Sequence, residues 1–136
     1  MNVTWWPKPE AGDLVWCHFP HFPKVEPGPK PRPALIFEVI ERKPHFRVTV
    51  AYGSSQKTTS LRRGEFLMLK DTSAAFKVSG LSFETKFSFA EMVELDYSDT
   101  WFKVPPHAPY GQTPKMGILH AVYAKAAQAA YGAVYL

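Results

Sequence analysis

Arg32 opens the run Arg32-Pro33-Ala34-Leu35-Ile36, and Ser54-Ser55 follows the run Val48-Thr49-Val50-Ala51-Tyr52-Gly53. Each run reads as a strand, so one arginine and one hydroxyl cluster stand at the ends of neighbouring strands. A guanidinium stays protonated at any working pH and presents a rigid fork of donors, and small hydroxyls beside it complete a set suited to phosphate oxygens. That is a site for nucleic-acid chemistry. His18 and His21 flank Phe19-Pro20 and are candidate proton shuttles, because imidazole titrates near neutral pH. Lys24, Lys30, Arg42, Arg47, Lys57, Arg62 and Arg63 can line a phosphate path, and Phe19, Phe22 or Tyr52 can stack bases. Plainer roles exist for all of them: serine favours turns, surface cations confer solubility, and aromatics build cores.

Other chemistries find no foothold in the spacing. The chain has no His-Glu-x-x-His, no paired cysteines and no clustered carboxylates, so neither a metal nor another cofactor is expected. Cys17 is the single cysteine, which excludes an intrachain disulfide and suits a reducing cytoplasm. A GxxxxGK[ST] phosphate loop and a GxSxG elbow are also absent from the sequence, which sets aside nucleotide hydrolysis and serine-esterase chemistry.

The elements that must position these residues are short. At 136 residues, with 46% hydrophobic and 21% charged, the chain suits a single domain over 1–136. Aromatics at 15% and thirteen prolines favour short strands and stiff loops over long helices. A leader over 1–11 precedes a first strand over 14–19, apolar on both faces and therefore buried on both. The proline-rich, basic stretch 20–31 cannot join a ladder and forms an exposed loop beside Arg32.

Further strands are expected over 34–40 and 46–52, joined by the charged turn Glu41-Arg42-Lys43-Pro44, then over 65–69 and from Phe83 toward Leu95. Asp71-Thr72-Ser73 suits the cap of a short helical turn through Phe76. In the extension 101–136, Thr113-Pro114 reads as the start of an amphipathic helix over about 114–131, with Leu119, Val122, Tyr123, Ala126 and Ala130 on one face packing on the sheet. Strands this short, joined by tight turns, predict a mainly β fold: a small closed antiparallel barrel with a C-terminal α-helix.

The net charge of +4 leans toward an acidic partner such as RNA, DNA or an acidic protein segment. No apolar run approaches a membrane span and the N-terminus lacks a basic segment followed by an apolar core, so a cytoplasmic protein with no membrane partner is expected.

Gly12-Asp13-Leu14-Val15-Trp16, Arg32-Pro33-Ala34-Leu35-Ile36 and Val50-Ala51 followed by Ser54-Ser55 together resemble, in order and spacing, the PemK/MazF family of toxin ribonucleases. Glu65-Phe66-Leu67-Met68 and the segment Gly80-Leu81-Ser82-Phe83-Glu84-Thr85-Lys86-Phe87 resemble later family segments, so the likeness spans about 12–95. It implies an SH3-like barrel that forms a homodimer, cleaves single-stranded RNA through 2′-hydroxyl attack without metal, and is silenced by an antitoxin with an acidic tail. The family's catalytic arginine and threonine carry over to Arg32 and Ser54; Lys24, Lys30, Tyr52, Ser55 and Lys57 are the RNA-binding residues expected beside them from their own charge, hydroxyl and aromatic character. Tyr52-Gly53 replaces the family's usual proline and aliphatic residue, which implies a looser loop before Ser54. A noncatalytic SH3-like binding module, or a toxin acting on a protein such as a topoisomerase, uses the same barrel.

Overall fold

Runs of β-branched and aromatic residues alternate with proline, glycine and charged turns, and in the computed structural model, which describes residues 6–21, 24 and 26–136, they become strands. These are β1 (Asp13–Cys17), β2 (Arg32–Ile40), β3 (Arg47–Ser54), β4 (Glu65–Met68), β5 (Thr85–Asp96) and β6 (Lys115–Ile118). All pair antiparallel in one sheet of order β4-β5-β3-β2-β1-β6, curled into a half-barrel. Two helices accompany it, α1 (Ala74–Val78) and α2 (Ala124–Tyr135), the latter led by a single 3-10 turn at Ala121–Tyr123. None of the described helices is long and apolar enough to cross a membrane.

Both faces of the sheet are covered, which explains the two-sided apolar character of β1. Leu14 joins Leu35, Phe66, Phe87 and Phe89 on the face that receives Ala127 and Ala130 of α2. Val15 and Cys17 join Ile36, Val48, Val50 and Phe102 on the other. The alanines of α2 lack bulk at the contact and so let the helix axis approach β4 and β5 closely. Tyr135 then donates its hydroxyl to the Phe89 carbonyl at 2.9 Å, and Tyr131 stacks on Phe37 with centroids 5.1 Å apart.

The expected closed barrel is corrected: β4 and β6 are the two edges of an open sheet. The segment after α1 packs backbone to backbone against β6 near one end. A Cβ on Gly80 would lie 1.8 Å from the Met116 carbonyl oxygen, and one on Gly117 would lie 2.0 Å from that of Ser79. Only glycine permits this approach, and Gly80 also holds φ at +73°.

The helix expected over 114–131 is corrected too. Residues Lys115–Ile118 form β6, because the outer edge of β1 needs a partner and takes Asp13↔Ile118 and Leu14↔Gly117. The helix proper starts later, after the His120 ring accepts the Val122 N–H at 3.0 Å. Its buried stripe is Ala127 and Ala130, whereas Val122 is 65% exposed. Phe83 precedes β5 instead of belonging to it, and the first strand ends at Cys17, short of Phe19. The short helical turn is as read: the Ser73 Oγ caps α1 by accepting the Phe76 N–H at 3.1 Å.

Candidate functional site

β2 and β3 form a hairpin in which Ala34 lies opposite Tyr52. Beyond that pair β2 begins at Arg32 and β3 ends at Ser54, so the two residues lie at the same end of the hairpin. The hairpin thus carries the guanidinium and the hydroxyl to one end of the sheet, where both line a single cleft. Gly53 belongs to β3 and is buried, which corrects the expectation of a looser loop before Ser54.

Arg32, Ser54 and Ser55 share a cleft of about 300 Å³ with Tyr52, Gly53 and Gln56. Trp16 and Met116 contribute from β1 and β6, and Gly80, Leu81, Ser82, Phe83 and Thr85 from the segment before and into β5. The remaining wall is a proline turn carrying His107 between Pro105, Pro106 and Pro109. That turn is closed by the Ala108 N–H donating to the Pro105 carbonyl at 2.9 Å, with Ala108 in the left-handed region at φ 40°. Proline rings fix three of its φ angles in advance, so the imidazole sits on a stiff support.

Arg32 is exposed, and among the described residues no carboxylate lies within ion-pairing distance of it. Arg47 differs: Glu94 and Asp96 hold it at 2.5 and 2.6 Å, removing it from any phosphate path. The Ser54 Oγ accepts the Gln56 N–H at 3.0 Å, so it performs turn chemistry and keeps its own proton free to donate. Cys17 pairs with Arg32 in the β1–β2 register, but burial pushes its thiol far above the ordinary range, which leaves it inert as a nucleophile.

A second depression adjoins the cleft through Tyr52, Ser54 and Gln56 and carries Lys57, Arg62, Glu65, Lys86 and Glu91. Lys86, opposite Ser54 in the β3–β5 register, pairs with Glu65 at 3.2 Å and donates to the Ser60 carbonyl at 3.2 Å. Glu65 also accepts the Arg62 N–H at 2.6 Å. This buried network fastens the polar loop behind Ser54.

The other expected site residues lie apart from the cleft. His18 uses its Nδ1 on the Gly28 carbonyl at 2.9 Å, and Gly28 N–H returns to the His18 carbonyl at 3.2 Å, so His18 closes its own loop. His21 is exposed and does not line the cleft. Lys24 lies 3.9 Å from Glu26, and neither it nor exposed Lys30 lines the cleft. Arg42 lines a separate depression beside Trp6 and Phe46, and Arg63 donates to the Ala133 carbonyl. Phe19 is buried, its ring centroid 5.0 Å from that of Tyr52. Phe22 falls outside the described residues. Among the described residues no group of three or more His, Cys, Asp or Glu side chains is placed to hold a metal ion.

Comparison of the chain with models of known protein families and with curated proteins returns no match. The cleft therefore carries the functional argument by its own chemistry. Sequence reasoning missed several of its residues, Trp16, Leu81, Phe83, His107 and Met116 among them. His107 had only its proline neighbours as a signal, and Phe83 was drawn into a strand by its alternation with Thr85 and Phe87.

Proposed function

We propose that the protein is a metal-independent endoribonuclease of the PemK/MazF toxin type, built on an SH3-like barrel and cutting single-stranded RNA. The observation that carries this reading is the convergence of Arg32, Ser54 and Ser55 in one cleft with His107. In the reaction, a ribose 2′-hydroxyl attacks the adjacent phosphorus and the bond to the 5′-oxygen breaks, leaving a 2′,3′-cyclic phosphate and a 5′-hydroxyl. Arg32 donates to the nonbridging oxygens as their charge grows, a role for which preorganised donors contribute about 2.7–4 kcal/mol each. Ser54 and Ser55 add neutral donors to the same oxygens. A proton must leave the 2′-oxygen and another must reach the 5′-oxygen; both transfers fall to His107, the histidine that lines the cleft. It takes over the shuttle role first assigned to His18 and His21.

This reading implies a second copy of the chain and an acidic antitoxin segment as partners, and a cytoplasmic site of action. Lys57 and Arg62, in the depression next to Ser54, supply cations for a neighbouring phosphate.

Labelled single-stranded RNA incubated with pure protein in excess chelator is expected to yield fragments ending in cyclic phosphate, and Arg32→Ala to abolish them. Intact RNA with folded wild-type protein would overturn the proposal. Growth inhibition without RNA cleavage would transfer it to a toxin with a protein target, and RNA binding without either to a noncatalytic module.

A further inference from the structure

The cleft is half accounted for by phosphate chemistry; its other half is apolar. Leu81, Met116, Trp16 and Pro105 face the polar rim, and at the mouth stands Phe83, 68% exposed. An aromatic ring left in water beside a concave apolar surface marks a binding site more often than a stability device.

Phe83 is not exposed through slack in its backbone. The Leu81 N–H donates to the Ser79 Oγ at 3.2 Å, and the Phe83 carbonyl accepts the Thr85 hydroxyl at 2.8 Å. Upstream, Gly80 is wedged against the Met116 carbonyl. The ring is thus carried on a chain pinned on both sides, ready for a ligand before one arrives.

We infer that Phe83 and the apolar floor of the cleft form a stacking site for one unpaired nucleobase, whose adjoining phosphate is held by Arg32, Ser54 and Ser55. The inference rests on the ribonuclease reading and adds where the base goes. A cleft of about 300 Å³ lies at the lower end of small-molecule sites, which suits a single splayed nucleotide. The combination of flat ring, apolar floor, guanidinium and hydroxyls matches the two chemical halves of a nucleotide. Stacking on Phe83 tolerates any base, because every base offers a π-face.

The test uses full-length protein and 2′-O-methyl RNA octamers, which cannot supply the attacking hydroxyl, so binding is read apart from cleavage. Titration of isotope-labelled protein is expected to shift the amide signals of Ser54, Ser55, Leu81 and Phe83. Phe83→Ala is expected to weaken binding about 5- to 150-fold for poly(U) and poly(A) octamers alike, the range of a lost base stack. Phe83→Trp is expected to restore it. An abasic octamer should bind wild type and Phe83→Ala equally, since no base remains to stack. Equal affinity of wild type and Phe83→Ala for the intact octamers overturns the stacking site while leaving the ribonuclease reading in place. Failure of wild type to bind any octamer, or displacement of these same signals only by an acidic peptide, overturns the nucleobase assignment; persistent cleavage of natural RNA in that case would place the substrate elsewhere on the molecule. The exposure of Phe83 makes its replacement safe for folding, and circular dichroism verifies that.

Discussion

The Cα of Gly53 rests on the backbone of Pro33: a Cβ built there would lie 2.5 Å from the Pro33 carbonyl oxygen and 2.6 Å from Cε1 of Phe87. The strand that presents Ser54 and the strand that presents Arg32 are therefore spaced by the missing side chain. Gly53→Ala must push β3 from β2 or displace the Phe87 ring. Its expected cost is about 1–3 kcal/mol in urea denaturation, typical of overpacking, together with a loss of RNA cleavage larger than the lost stability explains. Gly132→Ala in α2 is the control, because a Cβ there meets only the Leu136 side chain at 3.6 Å; it is expected to leave stability unchanged or raise it by up to about 1 kcal/mol.

The buried pair of Lys86 and Glu65 supports the loop behind Ser54, with side chains only 8% and 9% exposed. Glu65→Gln keeps an acceptor oxygen beside Lys86 but removes the charge that balances its buried ammonium, and is expected to cost up to about 3–5 kcal/mol, the range for buried pairs that lose one charge. Joint replacement, Glu65→Leu with Lys86→Met, removes both charges and is expected to cost less than the single change. Thermal denaturation of the three proteins checks this. A double variant less stable than Glu65→Gln would show that packing, not charge, governs the site.

Local pattern and long-range demand divide what the sequence reveals. β1 is readable as a short continuous apolar run and β3 by its period-two alternation, signals that need only their own residues, and Ser73 is readable because a cap acts over three positions. Arg32 and Ser54 could be placed together because one hairpin joins their strands. β6 could not: Lys115–Ile118 is a strand through the needs of β1, roughly a hundred residues earlier in the chain. The same holds for His107, whose turn reaches the cleft through tertiary packing alone, and for the open sheet, whose β6 edge is met by Gly80 from a segment distant in the chain. His18 shows the converse, a titratable residue near a basic loop whose ring holds a backbone carbonyl.

Arg32 and His107 are expected to fail in different ways. Arg32→Lys keeps the charge but loses the fork, and cleavage is expected to fall about 100-fold or more, near the loss for Arg32→Ala. His107→Ala is expected to lower kcat about 10²–10⁴-fold with little change in affinity for uncleavable RNA, as removal of a proton-transfer group does. Single-turnover kinetics beside equilibrium binding separates the two. A His107→Ala protein with unchanged kcat would exclude the imidazole from proton transfer.

Burial raises the proton affinity of two core groups, and both are expected to weaken the fold at alkaline pH. The Cys17 thiol is pushed well above its ordinary value of 9.0, and the Tyr97 hydroxyl from 10.0 to about 12, in both cases chiefly by desolvation; the Asp13 charge adds to the Tyr97 shift and the Thr113 hydroxyl opposes it. A group whose folded pKa lies above its unfolded one contributes fully below the unfolded value and loses that contribution as pH rises, because the unfolded chain ionises first. Stability is therefore expected to fall from about pH 9 upward, with Cys17 acting first and Tyr97 joining from pH 10. Cys17→Ala costs stability at neutral pH through the cavity it leaves, yet is expected to flatten the decline between pH 9 and 10. Urea midpoints at pH 8, 9.5 and 11 for both proteins decide the matter. Parallel curves for wild type and Cys17→Ala would mean that the thiol does not govern the alkaline limit.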